Sequence, residues 1–128
     1  MVIFDTDILV WYFRGNDRAA SLLSETPFHE RAASALCLME LIQGCRDKKE
    51  LKTIRTFFRE NISVIVHPDD KISGKAIDLL EHHALSDGLR TVDALIAASA
   101  LINDAPLVTA NWKHFKGITG LAVERFRP

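Results

Sequence analysis

Short apolar runs alternate with longer helical stretches along the whole chain, and this alternation restricts the fold more than any other feature. Val2-Ile3-Phe4 opens the series as a buried strand rich in β-branched and aromatic residues. Residues 6 to 13 carry a helical apolar pattern that Gly15-Asn16 stops, and Asp17 to about Ser24 reads as a second short helix closed by Pro27. Ala32 to Ala35 reads as a strand and Leu36 to Ile42 as a helix ending at Gly44. Asp47 to Asn61 is an amphipathic helix with Leu51, Ile54 and Phe58 on one face. Ser63 to Val66 is a strand stopped by Pro68, after which Asp69 or Asp70 caps a helix to about Leu85, with Ser86-Asp87-Gly88 as a loop. Thr91 is expected to cap a helix from Val92 to Asn103 that is apolar on nearly every side and therefore deeply buried. Leu107 to Thr109, a short helix from Trp112 to Phe115, and an edge strand at Ala122 to Glu124 complete the series. The pattern predicts an α/β protein: a three-layer α/β/α sandwich with a mostly parallel central sheet, forming one domain over residues 1–128.

Composition removes several classes of function. A chain of 128 residues that is 48% hydrophobic has the apolar content of a folded domain rather than a disordered tail. Its net charge of −1 argues against a generally basic nucleic-acid binder, though not against an enzyme whose basic groups are local and whose metal supplies positive charge. Cys37 and Cys45 are too far apart on one helix to bridge, and neither has a partner at zinc-site spacing. They read as small semi-buried side chains in a reducing, cytoplasmic setting. Asp5 interrupts any leading apolar run, so no signal peptide is expected, and the stretch from Ala94 to Ile102 is too short to span a membrane.

The alternation also says where chemistry belongs. In a parallel sheet, residues just past the strand ends converge on one crevice. Four stretches put polar or acidic groups there: Val2-Ile3-Phe4-Asp5-Thr6-Asp7, Leu38-Met39-Glu40-Leu41, Thr91-Val92-Asp93-Ala94, and Leu107-Val108-Thr109-Ala110-Asn111. Carboxylates gathered from distant parts of a chain repel each other, so they persist only with a cation or a shared proton. A hard divalent metal such as magnesium is the simplest occupant. Asp7, two residues past Asp5, is expected to point elsewhere and to serve the first turn of its helix. Asp93 sits in the first turn of the buried helix, where the helix dipole favours its ionised form. Thr109 and Asn111 supply a hydroxyl and an amide suited to holding a water or a phosphate oxygen, and Asn111 also reads as a helix cap. Lys48, Lys52, Arg55 and Arg59 recur at spacings of four, three and four as a basic stripe, which reads as solvated surface unless it borders the crevice, where it would steer phosphates. The five histidines form no cluster, and there is neither a Gly-rich phosphate loop nor a Gly-x-Ser-x-Gly elbow.

Taken together, the segments Ile3-Phe4-Asp5-Thr6, Met39-Glu40-Leu41-Ile42-Gln43-Gly44, Val92-Asp93-Ala94-Leu95-Ile96-Ala97-Ala98 and Leu107-Val108-Thr109-Ala110-Asn111-Trp112-Lys113-His114-Phe115 resemble the PIN-domain ribonucleases. The resemblance is nearest to the VapC-type toxins of toxin–antitoxin pairs. Each segment is short, and their order and spacing carry the likeness. It implies a magnesium- or manganese-dependent endoribonuclease acting on structured RNA such as tRNA or rRNA, a homodimer, and a small antitoxin that blocks the site. Asp5, Glu40 and Asp93 fall on the three core acidic positions, which implies a metal held by Asp5 and Asp93, with Glu40 acting directly or through water. Thr6, Thr109 and Asn111 are implied to orient water or substrate. The fourth position, often Asp in the family, is Asn111 here, and His114 stands where many relatives carry an acid. Those departures remove charge, so one well-held ion is the expectation.

Two rival readings remain at this level. Phe4-Asp5-Thr6-Asp7 also resembles the Asp-x-Asp opening of the HAD phosphatases, but no Gly-Thr follows Asp7 and a typical HAD core is longer. The other is a PIN-like module that only binds RNA or protein; the presence of all three core carboxylates argues against it.

Overall fold

The computed structural model describes residues 1–128. Strands β1 (Val2–Phe4), β2 (Arg31–Ser34), β3 (Val64–Val66), β4 (Leu107–Thr109) and β5 (Val123–Arg125) form one sheet in the order β3-β2-β1-β4-β5. All neighbours pair in parallel, so the expected mostly parallel sheet is parallel throughout. Central β1 is flanked on both sides: Ile3 stands opposite Ala32 of β2 and Leu107 of β4, and all three are completely buried. Parallel strands covered on both faces need apolar residues at successive positions, which is why these runs do not alternate with polar ones.

The helices are α1 (Thr6–Phe13), α2 (Asp17–Glu25), α3 (Ala35–Gln43), α4 (Lys48–Asn61), α5 (Asp70–Asp87), α6 (Thr91–Ile102) and α7 (Trp112–Phe115), with a 3-10 turn at Phe28–Glu30 before β2. With the right-handed crossovers that parallel strands require, a chain running from β1 through β2 to β3 and then back past β1 to β4 places α1 to α4 on one face and α5 and α6 on the other. Helix packing sorts the same way: α1 meets α2 and α3, α3 meets α4, and α5 meets α6. The buried apolar residues form one contiguous cluster of 29, from Ile3 to Phe126.

Side-chain caps fix the starts of most helices. Asp5, Asn16, Ser34, Asp47 and Asp69 each accept a hydrogen bond from a backbone N–H of the helix that follows. At α4 the cap is reinforced by Glu50, which accepts from the backbone N–H and the guanidinium of Arg46; these bonds hold its carboxyl below the usual range.

Three local expectations need correction. Helix α5 runs through Ser86 and Asp87 and ends only at Gly88, whose φ of 69° supplies the left-handed cap that other residues adopt with strain. Thr91 is the first residue of α6 rather than its cap; Arg90 holds that position and makes no side-chain capping bond. On α4 the buried residues are Ile54, Phe57 and Phe58, while Leu51 is exposed. Phe57 displaces it because Tyr12 and Phe13 of α1 pack on its ring, with centroids 4.7 and 4.9 Å away.

Candidate active site

The strand order reverses direction between β1 and β4, and the crevice past their C-terminal ends is where a parallel sheet leaves room for a ligand. Asp5 stands at that point. Its backbone N–H donates to Val108 O at 2.9 Å, its Oδ1 accepts from Thr6 N at 2.8 Å as the cap of α1, and its Oδ2 accepts from Thr109 Oγ1 at 2.8 Å. The residue is only 6% exposed. Thr109, itself fully buried, in turn accepts from Asn111 N at 2.9 Å, so one hydroxyl links Asp5 to the turn that follows β4.

Asp7 reaches the same turn. Its Oδ2 accepts from Ala110 N at 3.0 Å and lies 3.4 Å from Thr109 Oγ1, while its Oδ1 is buried with no hydrogen-bond partner. The expectation that Asp7 points elsewhere is therefore wrong. The first turn of α1 starts directly beneath the end of β4, and a side chain two residues past the cap is turned into the crevice.

The other acids approach from two further helices. Glu40, exposed on α3, accepts a hydrogen bond from Thr6 Oγ1 at 2.7 Å. Asp93, in the first turn of α6 and about one-fifth exposed, lies 3.5 Å from His114 Nδ1. The same ring nitrogen is 2.8 Å from Asn111 Nδ2. Asn111 does occupy the position before α7, yet its side chain makes no capping bond and joins His114 instead.

Electrostatics ties these groups together. Burial, then the charge of Asp7, and to a smaller extent that of Asp93, push the Asp5 carboxyl up to about 7, against the lowering effect of the Thr109 and Thr6 hydrogen bonds. Burial likewise raises Asp7, opposed by the hydrogen bonds it accepts. Beneath them the buried Cys37 thiol, 3.7 Å from Phe4 O, is pushed up to about 12 by burial, with the charges of Asp5 and Glu40 adding to the shift. Two carboxyls that resist ionisation are thus set side by side in one buried corner.

Glu40 lies where two clefts meet. One, of about 870 Å³, runs between α1, α3 and α4 and is lined by Thr6, Phe13, Glu40, Leu41, Lys49 and Ile54. The other, of about 720 Å³, runs between α3, α5 and α6 and is lined by Glu40, Leu80, Arg90, Thr91 and Asp93.

The PIN domain family profile matches residues 2–121, nearly the whole of this arrangement. The chain belongs to the PIN domain family. It is 37% identical over 118 residues to Ribonuclease VapC19 of Mycobacterium tuberculosis, covering 90% of this chain and 92% of that protein. Among solved structures it resembles a toxin–antitoxin complex from Klebsiella pneumoniae, with a TM-score of 0.80 and 26% identity over 95% of this chain and 96% of that one. It also shares its fold with VapBC-1 from nontypeable Haemophilus influenzae, with a TM-score of 0.80 and 24% identity over 98% of each chain.

In this PIN domain, the side chains of Asp5, Thr6, Glu40, Asp93, Thr109 and Asn111 all stand around the crevice. The donor set fits a hard divalent cation: it consists of carboxylate oxygens, burial and the neighbouring Asp7 charge oppose ionisation of Asp5, and one buried oxygen of Asp7 has no partner. The fit is one of chemistry rather than of a finished cage, since no three His, Cys, Asp or Glu side chains converge as a ready ligand group. Lys48, Lys52, Arg55 and Arg59 are exposed on α4, but none lines the cleft beside Glu40, where Lys49 and Thr53 stand instead. No helix is long and apolar enough to cross a membrane.

Sequence reasoning missed Asp7 and His114 as members of this network. The Asp-x-Asp spacing was a signal for the first. For the second it was the family position usually held by an acid.

Proposed function

We propose that this chain is a divalent-metal-dependent endoribonuclease that hydrolyses phosphodiester bonds in structured RNA, tRNA or rRNA, and that it acts in the cytoplasm as the toxin of a toxin–antitoxin pair. One observation carries the reading: in a PIN domain similar to a named ribonuclease, Asp5 is buried at the switch point of the sheet with further carboxylates raising its affinity for positive charge. Asp5 and Asp93, with Glu40, would hold Mg²⁺ or Mn²⁺. When bound, such an ion polarises a phosphodiester oxygen and makes a water more acidic.

The chain's own groups prepare and orient the site. Thr109 keeps Asp5 fixed through its hydroxyl, and Thr6 keeps Glu40 beside it. Asn111 and His114 share a hydrogen bond at the rim next to Asp93, where they are placed to bind a phosphate oxygen or a water. A small antitoxin is the proposed partner, and a segment of it lying in the cleft beside Thr6 and Glu40 would keep RNA out. We further propose a homodimer, which sedimentation of the purified chain would test; a monomer across the accessible concentration range would refute it.

The test of the activity is cleavage of total cellular RNA by the purified chain with Mg²⁺ or Mn²⁺ against EDTA, with D93A alongside. Discrete, metal-dependent fragments are expected, and D93A should be slower by at least about two orders of magnitude, as when a principal electrostatic group is lost. Binding of RNA without cleavage under any metal would instead identify a binding module.

A further inference from the structure

The chain has a net charge of −1, and no residue of its plainest basic stripe lines the cleft beside Glu40, so an RNA-cleaving reading still lacks a seat for the substrate's backbone. A candidate lies on the other side of Asp93. Helix α7 sends His114 toward the Asp93 carboxyl, and Lys113 of that helix and Lys116 just past its end stand on the wall of a cleft of about 160 Å³. His83 and Asp87, at the end of α5, line the opposite wall. Asp87 is the only carboxylate there, and its Oδ2 already accepts from or pairs with His83 Nδ1 at 2.7 Å. Neither Lys113 nor Lys116 is paired with a carboxylate. The ammonium of Lys116 lies 5.0 Å from the ring centre of Trp112, and the Arg125 guanidinium lies 5.3 Å from it, so the positive face continues around the indole.

We infer that this cleft is a phosphate subsite, taking a backbone phosphate of the RNA next to the one that is cut. The inference rests on the ribonuclease reading above. A phosphodiester would meet two lysine ammonium groups at a cleft that adjoins Asp93 through a single histidine. Non-specific affinity for a nucleic acid comes from such contacts through release of counterions, and so it carries a salt dependence that counts them. This face, rather than the Lys48–Lys52–Arg55–Arg59 stripe of α4, is where that dependence resides.

The experiment compares two double variants of the full chain for binding of fluorescein-labelled bulk tRNA in EDTA, over a series of salt concentrations. K113A/K116A is expected to bind at least about tenfold more weakly, with a slope of log affinity against log salt shallower by about one. K52A/R55A is expected to match the parent in both. All four side chains are exposed, and melting curves equal to the parent's establish that each variant is folded. If K113A/K116A binds as tightly as a parent that binds and cuts RNA, the subsite falls and the nuclease reading stands. Equal weakening by the two variants also overturns the subsite, because it would mean that any positive charge serves. A parent that neither binds nor cuts RNA removes both.

Discussion

Thr109 donates its hydroxyl hydrogen to Asp5 Oδ2 over 2.8 Å, joining residues 104 positions apart in the chain. The bond spans the ends of β1 and β4, the two strands between which the sheet changes direction. Because Thr109 also accepts from Asn111 N, its one oxygen positions both the buried acid and the turn that carries Asn111 and His114. Replacing it with valine keeps the shape and removes the oxygen, leaving the part-buried Asn111 N–H and a buried carboxylate oxygen short of a partner. T109V should lose about 1–3 kcal/mol of stability and most of its RNA cleavage, whereas T109S should retain both. Urea unfolding and a cleavage assay decide it; a T109V protein as active as the parent would remove the hydroxyl from the mechanism.

The raised Asp5 pKa has a consequence for stability in the absence of metal. The folded chain holds the Asp5 proton up to about pH 7, while the unfolded chain releases it near the ordinary value of 3.8. The folded state thus binds more protons between those values, and the stability contributed by this group is full below the unfolded pKa and is lost as pH rises through the folded one. In EDTA, D5N should therefore match the parent near pH 4, exceed it increasingly up to about pH 7, and keep a constant advantage above that. Melting temperatures across that range are the measurement. A difference that does not vary with pH would mean that Asp5 is not held protonated by its surroundings.

Asp7 ties α1 to the turn after β4 through Ala110 N, and the tie needs an acceptor oxygen rather than a charge. D7N keeps such an oxygen and D7A does not. D7A is expected to lose roughly 10- to 100-fold in cleavage, the scale of a small misplacement of reacting groups, with D7N near the parent. An inactive D7N would give Asp7 a role that depends on its charge, as a metal ligand or as the second acid of a HAD-type site.

How far the sequence reached can be judged from these same residues. Asp5, Asp93 and Thr109 were legible because each ends or follows a strand or opens a helix, and Glu40 because its helix leads off from β2; a parallel sheet brings such positions together whatever its strand order. Asp7 was not, because its inward direction depends on β4 lying next to β1, and adjacency of strands about a hundred residues apart leaves no local mark. On α4, the turn of about 100° per residue puts Leu51 and Phe57 at equal angles on either side of Ile54. Only the aromatic neighbours from α1 decide that Phe57 is buried and Leu51 exposed. The place of the basic stripe was hidden for a related reason: periodicity shows that Lys48, Lys52, Arg55 and Arg59 share a face, but which neighbour that face meets is a tertiary fact.

A divalent cation should stabilise the folded chain, because the carboxylates around the switch point oppose one another until a positive charge joins them. An ion that binds only the folded state adds about 2.7 kcal/mol when present at about a hundredfold excess over its Kd. Titration of Mg²⁺ should therefore raise the melting temperature of the parent, and D93N, which removes one charge at the crevice, should lose most of the rise. The effect should also weaken between about pH 8 and pH 6, since Asp5 must give up its proton before it can serve as a ligand. The comparison needs no catalytic turnover and so tests the ion apart from the reaction. If D93N rises as far as the parent at both pH values, the ion is bound somewhere other than this crevice.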